Sequence, residues 1–337
     1  MVTISQIAAE LGLSKATVSR ALRGVPGVAD VTVATVRAAA ETMGYIPDVA
    51  AAGLATGRSR AVAVVVPSLS RWFYNSVLTG IDRGLRSLGY DTVLYDLDRS
   101  VGSWPHVFVR SDLRRRVDGL IAVSMMFSAE ELAEFSSLDI PMIAVGPTTH
   151  GFRTIGIDDA AVMTTATEHV LALGHQELGY LGGFDSQSRS LGGAVEREHA
   201  FMTAALDAGA VVDPTWMLAG RYRQSIALEV VTPVFRSDSW PTALVCASDE
   251  MAIGAMYAIQ AAGLRVPQDV SVIGVDGHEY AQAYDLTTCA QYPEAQGELA
   301  ARQIIAEVEG GPSRLSFEPA DYQLVVRGST GPPRASR

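Results

Sequence analysis

A repeat of apolar residues near the amino terminus constrains the fold of this 337-residue chain more than any other feature. Ile4, Ile7, Ala8 and Leu11 recur at i, i+3, i+4 and i+7, which is the spacing of one face of a helix. Gly12 follows the repeat, and glycine readily adopts the left-handed conformation that ends a helix. The repeat therefore predicts a short amphipathic helix that ends at Gly12.

Capping residues flank this helix and predict a second one. Thr3 and Gln6 have the spacing of a capping box. Ser14 has the features of the N-cap of a second helix that runs through Val18 to Gly24. Two short helices joined by a tight turn form a helix-turn-helix, whose second helix can lie in the DNA major groove. An ordinary capped helical hairpin is the alternative when this motif is taken alone.

The order of residues in this stretch resembles the DNA-binding domain of the LacI/GalR family of bacterial transcription regulators. The resemblance implies a helix-turn-helix domain over residues 1–47, followed by a hinge helix and linker over 48–60. The matching residues are Ala8, Gly12, Ser14, Thr17, Val18, Ser19, Arg20, Val28, Thr32, Val36, Ala39, Ala40, Gly44, Tyr45, Ile46, Pro47, Leu54, Ala55, Thr56 and Gly57.

The resemblance places the second helix against DNA. Lys15 and Ala16 occupy the positions that set operator preference among relatives. Lysine can bond guanine O6 and N7, and alanine can contact a thymine methyl group. A plain phosphate contact is the alternative for Lys15. The residues predicted to contact DNA are Thr3, Ser14, Lys15, Ala16, Thr17, Ser19, Arg20, Tyr45 and Leu54.

The stretch after the second helix predicts a third helix and a hinge. We expect Asp30 to cap a helix that ends at Gly44, and a short hinge helix over residues 49–55. Leu54 stands where the relatives push a leucine into the minor groove and kink the DNA, although a core role is the alternative. Gly53 costs about 0.5–1 kcal/mol relative to alanine in a helix. We therefore expect this hinge to be disordered without DNA.

The net charge of −11 is unevenly distributed along the chain. Residues 1–60 carry six Lys and Arg residues against four Asp and Glu residues, which gives +2 and leaves −13 for the rest. DNA attracts a basic surface and repels an acidic one, so this split suits a protein held to DNA by one small domain. Because +2 is modest, we predict weak non-specific binding.

The composition of the chain argues against membrane-spanning, secreted and disulfide-bonded proteins. No run of eighteen apolar residues occurs, so no segment is predicted to span a membrane. The amino terminus lacks the basic-then-apolar pattern of a signal peptide. Cys246 and Cys289 lie in apolar stretches, which favours reduced core residues over a disulfide or a metal-ligand pair. We expect a cytoplasmic protein without a cofactor or a metal.

Apolar strands alternate with helices through residues 61–330, which predicts parallel sheets covered on both faces by helices. Strands are predicted over 61–67, 92–95, 117–123, 141–145, 178–181, 243–246 and 270–275, and helices over 77–88, 161–173, 196–208 and 251–262.

This body also resembles the family, whose effector-binding and dimerisation domain has the periplasmic-binding-protein fold with two doubly wound parallel-sheet subdomains. The implied boundaries are an N-subdomain of about 61–159 and 291–319, a C-subdomain of about 160–289 and 320–330, and a disordered tail over 331–337. The matching residues are Val117–Ile121, Glu168–His169, Leu173–His175, Gly182–Gly183, Pro241–Ala243, Asp249–Ala252, Val266–Gly274 and Leu324–Ser329.

The same resemblance implies an effector site in the cleft between the subdomains, at the carboxyl ends of strands. Arg197 would donate hydrogen bonds to ligand oxygens, which its planar fork suits, and Asp276 would accept them. Aromatic side chains would stack on the ligand. A surface Arg–Asp pair and core aromatics are the alternatives. The predicted effector-binding residues are Phe73, Tyr74, Arg197, Tyr222, Ser248, Asp249 and Asp276.

Several positions depart from the family pattern. The chain has a single asparagine, Asn75, and other residues stand where the family prefers that amide. Arg71 and Trp72 replace an Asn-Pro pair and can reshape the mouth of the cleft. Ser248 is shorter than the asparagine that the family has at this position, so one polar side chain that would extend into the cleft is lost. A sugar remains the expected class of effector, but these changes leave its identity open.

Motifs of enzymes are absent. The chain lacks the phosphate-binding loop, the nucleophile elbow and the dinucleotide-binding fingerprint. His278 and Glu279 are not followed by a second histidine at the spacing of a zinc helix. We expect His169 and His175 to support the fold. The acidic residues expected simply to face solvent are Glu130, Glu131, Asp158 and Asp159.

These features predict a ligand-responsive repressor of a catabolic or transport operon. Palindromic operators require two heads, so we expect a homodimer. Residues 328–334 cannot form the leucine heptads of tetrameric relatives, so a dimer is the largest expected assembly. A solute-binding protein of the same fold, without a regulatory role, is the alternative; the head and the missing export signal argue against it.

Overall fold

The computed structural model describes residues 2–45, 58–97, 116–125, 127–148, 151–183, 192–312 and 316–334. The chain divides into two compact units, Met1–Ser59 and Arg60–Arg337, here called the head and the body. The predicted hinge helix and Leu54 lie outside the described residues.

The described part of the head contains three helices: α1 (Ile4–Leu11), α2 (Lys15–Arg23) and α3 (Asp30–Thr42). The N-caps predicted for α1 and α2 are confirmed. In α1, Thr3 and Gln6 form the capping box, and in α2, Ser14 Oγ accepts a hydrogen bond from the Thr17 amide at 3.0 Å. The buried core of the head is made of Ile7, Ala8, Val18, Ala21, Val36 and Ala40.

The prediction that Asp30 caps the third helix was wrong. Ala29 is the N-cap residue, and it offers no side-chain hydrogen bond to the helix. Asp30 is instead the first helical residue, where its carboxylate lies near the positive end of the helix dipole. Aspartate is favourable at both places, so composition alone does not separate them.

The N-subdomain of the body contains a parallel sheet of six strands in the order β11-β5-β4-β3-β1-β2. Helices α4 (Trp72–Ser87), α5 (Ala129–Ser136) and α10 (Pro293–Val308) accompany it. Its strands are β1 (Ala61–Val66), β2 (Asp91–Asp96), β3 (Gly119–Val123), β4 (Met142–Val145), β5 (Arg153–Gly156) and β11 (Phe317–Pro319).

Strand β1 shows why this sheet needs cover on both faces. All six of its residues are buried. Val62, Val64 and Val66 join a core cluster with residues of α4 and α10, whereas Ala63 and Val65 join a second cluster on the opposite face. A continuous apolar run is therefore satisfied as a strand buried on both sides.

Within the described residues, the C-subdomain contains the second six-stranded sheet, in the order β12-β10-β9-β8-β6-β7, in which only β12 is antiparallel to its neighbour. Helices α6 (Asp159–Ala172), α7 (Gly192–Asp207), α8 (Gln224–Phe235) and α9 (Asp249–Ala261) accompany it. Its strands are β6 (Leu178–Gly182), β7 (Met217–Ala219), β8 (Ala243–Cys246), β9 (Ser271–Asp276), β10 (Thr287–Ala290) and β12 (Gln323–Val325).

The chain passes between the two sheets three times, between β5 and α6, between β10 and α10, and between β11 and β12. Both cysteines are buried free thiols, as the apolar stretches around them predict. Among the described residues, no helix is long and apolar enough to cross a bilayer.

The structure corrects the predicted tail. Residues 331–334 are placed against the body rather than disordered. Gly331 O is 2.9 Å from Nε2 of buried His175, and Arg334 lies 4.6 Å from the centroid of the Trp240 ring. His175 also bonds Thr242 through Nδ1 at 3.0 Å, which supports the structural role predicted for this histidine.

Glycine allows α4 and α10 to pack closely in the N-subdomain. A Cβ atom on Gly80 would overlap the backbone carbonyl of Glu294, and one on Gly297 would overlap that of Val77. Gly80→Ala is therefore expected to destabilise the body by about 1–3 kcal/mol through overpacking. Urea unfolding of the full chain measures this loss. Thr79→Ala, an exposed change on the same helix, serves as the control and should leave stability within about 0.5 kcal/mol.

Candidate functional site

Helix α2 presents a polar face to solvent. Val18 and Ala21 are fully buried in the core of the head, while Lys15, Ala16 and Arg20 are exposed. The exposed face is therefore held in place by the apolar stripe behind it. Its cationic side chains, Lys15 and Arg20, are exposed to a ligand of opposite charge.

The amino-terminal end of α2 has unusual electrostatics for a helix. Lys15 is the first helical residue, and the first turn carries no acidic side chain. The helix dipole is positive at this end, so the ammonium group lies in an unfavourable field. Backbone amides, dipole and ammonium together favour a bound anion such as a phosphate.

The other predicted DNA contacts of the head have local partners. Thr3 Oγ1 lies 3.1 Å from Oε1 of Gln6 in the cap of α1, and Ser14 Oγ lies 2.8 Å from Thr17 Oγ1 in the cap of α2. Ser19 is half-buried. Tyr45 is half-buried and packs against the core of the head. These side chains position the surface of α2 in addition to any contact with DNA.

A second candidate site lies in the body, in a cleft between the two subdomains. Phe73, Tyr74, Arg197 and Asp276 all line it, so the structure brings four of the predicted effector residues together. Arg71, which the sequence places at the mouth of the cleft, also lines it. The lining residues that the sequence did not indicate are Ser124, Gly146, Pro147, Ile157, Asp159, Gly193 and Gln291.

Arg197 enters the cleft from α7 as a buried and paired cation. Its Nε donates to Asp159 Oδ1 at 2.7 Å, with 9% and 4% of the two side chains exposed. Its Nη1 donates to the backbone oxygen of Ala247. Although burial lowers the pKa of Arg197, the Asp159 carboxylate raises it, and the net direction is upward. The guanidinium is therefore a fixed, permanently charged donor.

This pairing contradicts two of the expectations from sequence. Asp159 and Glu131 were expected to face solvent, and both are 5% exposed. Asp159 is held by Arg197, and Glu131 closes a capping box with Ser128. Asp158 behaves as expected of an exposed residue and caps α6. Asp158 and Asp159 are adjacent in sequence, yet one is exposed and the other buried, because successive residues at the start of a helix point in different directions.

Asp276 closes the cleft at the carboxyl end of β9. Its Oδ1 accepts a hydrogen bond from Gln291 Nε2 at 2.6 Å, and its φ of 129° is unusual for a residue with a side chain. Burial raises the pKa of Asp276 to about 7, against the lowering effect of Arg197 and of the Gln291 bond. Residues with a strained backbone and carboxyl groups with a shifted pKa are both concentrated at functional sites.

Ser248 and Asp249 lie behind the cleft rather than on its surface. Ser248 Oγ caps α9 by accepting from the Met251 amide at 3.3 Å. Asp249 is fully buried, and its Oδ2 accepts from the His278 amide at 2.7 Å. Burial, and the nearby charge of Asp276, raise the pKa of Asp249 well above its ordinary value. Both side chains fix the loops that shape the cleft.

Tyr222 lies beside the cleft, with its ring 5.5 Å from the guanidinium carbon of Arg71. The ring packs against Gly183 so closely that a Cβ there would overlap it. Burial raises the pKa of Tyr222 to about 12, which keeps its hydroxyl protonated at neutral pH. Tyr222 therefore contributes an uncharged aromatic surface.

Family comparisons match both units. Residues 3–48 match the family described as bacterial regulatory proteins, lacI family, and residues 167–330 match a periplasmic binding protein-like domain. The chain belongs to the lacI family of bacterial regulatory proteins. This confirms the resemblance and the fold class predicted from sequence.

Curated relatives of this lacI-family protein are transcription regulators. Catabolite control protein A of Priestia megaterium is 28% identical over 277 residues, which are 82% of each chain. The HTH-type transcriptional repressor PurR of Photobacterium profundum is 28% identical over 335 residues, 98% of each chain. A solved structure of the Lac repressor dimer, bound to operator and an anti-inducer, superimposes with a TM-score of 0.85 at 25% identity. It covers 98% of this chain and 99% of that one.

The head and the body thus have different functions. The head is the DNA-binding unit of a transcriptional regulator, and the body is its effector-binding domain.

Proposed function

We propose that this protein is a cytoplasmic, homodimeric repressor of a catabolic or transport operon. It binds a palindromic operator through two heads, and a sugar or a sugar derivative in the cleft switches its operator affinity. It carries out no catalysis. The exposed face of α2, with Lys15 at its positive end, is the observation that carries this proposal.

The relatives support the DNA-binding part of the proposal. The Lac repressor structure named above contains operator DNA and a dimer of that protein. The same fold in this chain presents a helix-turn-helix whose exposed face carries Lys15, Ala16 and Arg20. A solute-binding protein without a regulatory role would have no use for this face.

The chemistry of the cleft supports an uncharged, hydroxyl-rich effector. Arg197 is neutralised by Asp159, and Asp276 has a pKa near neutrality, so the lining holds little net charge. Arginine, carboxyl and amide groups provide donors and acceptors for hydroxyls, and Phe73 and Tyr74 provide apolar faces. A sugar ring offers the same combination of polar edge and apolar face.

The cleft is nearly closed in this conformation. Its free volume is about 60 Å³, well below the roughly 300–1,000 Å³ typical of ligand pockets. A sugar ring needs more space, so its binding requires the subdomains to move apart. Such a motion links effector binding to the geometry of the two heads, provided that the effector binds the two states unequally.

Exposed aromatic residues support a dimer. Tyr257, Tyr280 and Tyr284 of the C-subdomain are 62%, 56% and 44% exposed. Leu88 and Leu94 of the N-subdomain are also exposed. Side chains of this kind supply apolar and aromatic area that an interface between two copies would bury. Two copies joined through such surfaces bring two heads to the half-sites of one operator.

Lys15→Ala tests the DNA-binding assignment. We expect it to weaken binding to an operator by about 10- to 100-fold, because a lysine–guanine contact contributes about 1–3 kcal/mol. The measurement is fluorescence anisotropy with a palindromic duplex selected from a random pool by the wild-type protein. A base contact predicts relaxed sequence preference at one position of each half-site. A phosphate contact predicts uniform weakening and a smaller salt dependence.

Arg37→Ala is the matched control, since Arg37 is an exposed cation on α3 rather than on α2. It should reduce affinity far less than Lys15→Ala. Equal losses in the two variants, or none in either, would reject the assignment of α2 as the recognition helix. Circular dichroism of both variants confirms that the head remains folded.

A further inference from the structure

Two consecutive residues of the N-subdomain reach across the cleft to the C-subdomain. Arg71 Nε donates to Glu250 Oε2 at 3.0 Å, and the two side chains are only 15% and 18% exposed. The ring of Trp72 lies 4.5 Å from the ring of His278, with an interplanar angle of 32°. One charged contact and one ring contact therefore bridge the subdomains side by side.

The loop that carries Arg71 and Trp72 is braced. Ser68 Oγ accepts from the Ser70 amide at 3.2 Å, and Asn75 Nδ2 donates to the Leu69 carbonyl at 2.8 Å. Arg71 is the N-cap residue of α4 but makes no side-chain cap bond. Its guanidinium is therefore available to extend away from its own helix.

The receiving groups on the C-subdomain are also fixed. Glu250 lies in the first turn of α9, whose N-cap is Ser248. The His278 amide donates to the buried Asp249 carboxylate at 2.7 Å, and His278 Nδ1 accepts from the Tyr280 amide at 3.0 Å. These two hydrogen bonds fix both the backbone and the ring of His278. The ring therefore packs against Trp72 without a further loss of side-chain conformational freedom.

Aromatic rings surround the Arg71 guanidinium on its way across the cleft. Its central carbon lies 5.9 Å from the centroid of Tyr74 on its own subdomain and 5.5 Å from that of Tyr222 on the other. A cation shielded from water by aromatic faces gains more from these contacts than an exposed one. The aromatic contact with Tyr222 thus adds to the ion pair with Glu250.

We propose that Arg71 and Trp72 form a clasp that holds the body closed when no effector is bound. The effector must separate this clasp to reach Arg197 and Asp276, so these two residues position the subdomains and set the open-to-closed ratio of the free protein. The proposal rests on the proposed function only in taking the cleft as the effector site. The closure itself is a property of the body alone.

Double electron–electron resonance on the full-length protein, without DNA or effector, tests the clasp. Spin labels are attached through Ser137→Cys on the N-subdomain and Ser225→Cys on the C-subdomain, both exposed positions. Labelled protein is diluted into excess unlabelled protein so that each dimer carries one labelled chain. The native Cys246 and Cys289 are buried and do not compete for the label.

We expect one dominant distance in the otherwise wild-type protein. Arg71→Gln combined with Trp72→Ala should populate a second distance and shift the closed-to-open ratio by about tenfold or more. Exchanging the charges, with Arg71→Glu and Glu250→Arg, should restore much of the original distribution. The matched control is Arg83→Gln, because Arg83 pairs with Glu294 and Glu298 inside the N-subdomain.

An unchanged distance distribution in the Arg71→Gln, Trp72→Ala variant would overturn the proposal. An equal shift in Arg83→Gln would also overturn it, because any lost ion pair would then have the same effect. Neither result depends on finding the operator or the effector, so failure of the clasp is distinguishable from failure of the proposed function. Thermal melts of each variant verify that the body is folded before the distances are compared.

Discussion

Arg197→Ala should destabilise the body by about 3–5 kcal/mol, the cost typical of removing one partner from a buried ion pair. The loss has a specific origin. Asp159 is 5% exposed, and its Oδ1 accepts from Arg197 Nε at 2.7 Å. Without the guanidinium, the Asp159 carboxylate stays buried with no cation beside it, and the Ala247 carbonyl loses a donor. The penalty is therefore much larger than the loss of one contact.

Urea unfolding followed by tryptophan fluorescence measures this effect selectively. All four tryptophans lie after residue 60, so their emission reports on the body and not on the head. The double variant with Arg197→Met and Asp159→Leu removes both charges and fills similar volume. We expect it to recover most of the lost stability, since replacing a whole buried pair by apolar groups is often neutral.

Arg265→Ala provides the matched control for the loss of an arginine ion pair. Arg265 is 71% exposed and pairs with Asp269 within the C-subdomain. We expect a change below about 1 kcal/mol there. A similarly small change in Arg197→Ala would contradict the buried-pair account. A double variant no more stable than Arg197→Ala would contradict it as well.

Effector-binding experiments with Arg197→Ala must allow for this loss of stability. Arg197→Ala lowers the melting temperature whether or not Arg197 contacts the ligand. A thermal-shift screen of sugars, nucleosides and sugar phosphates should therefore be confirmed by direct binding at a temperature where the variant is folded. Loss of binding in both Arg197→Ala and Asp276→Ala, under those conditions, would identify the pocket.

Sequence patterns captured the features that depend on near neighbours. The caps at Thr3 and Ser14 are contacts within three residues, so their spacing is visible in the chain. The buried strand β1 is visible as a continuous apolar run. The first helix of the body was predicted from Val77, whereas it begins at Trp72. Its first turn is aromatic and has no capping side chain, so neither signal of a helix start was present.

The cleft was only partly predictable, because its chemistry depends on residues distant in sequence. The sequence predicts Arg197 as an effector-binding residue, but its partner Asp159 lies 38 positions away in the chain. Arg71 was recognised as unusual, but Glu250 lies 179 positions away. Gln291 has no sequence signal of its own, and the pairing of β9 with β10 places it beside Asp276. Pairings of this kind follow from how the strands, the helices and the two subdomains are arranged in space, which residues near each other in sequence do not reveal.

Asp276→Asn should stabilise the body, and by more at pH 8 than at pH 5. Burial raises the pKa of Asp276 to about 7, from an ordinary value of 3.8. A folded-state pKa above the unfolded value means that the folded protein binds more protons in this range. The stability that the carboxyl contributes is therefore present below about pH 4 and is lost as the pH rises through about 7.

Asparagine reproduces the neutral carboxyl without this loss. The side-chain oxygen of the introduced asparagine would still accept from Gln291, because that bond uses Oδ1 of the native Asp276. The advantage of Asp276→Asn should grow between pH 4 and pH 7 and then level off at about 2–4 kcal/mol. Urea unfolding at pH 5 and pH 8 measures it. Asp269→Asn is the control, because hydrogen bonds from Arg265 lower the pKa of Asp269, and no stabilisation is expected there.

An advantage for Asp276→Asn that does not change between pH 5 and pH 8 would contradict the raised pKa. If the expected pH dependence is found, it also bears on function. A carboxyl that destabilises the folded protein at physiological pH is the kind of energetically costly group that is typical of binding sites. Asp276→Asn should then be more stable and bind the effector less well, and that combination is what distinguishes a ligand-binding carboxyl from a structural one.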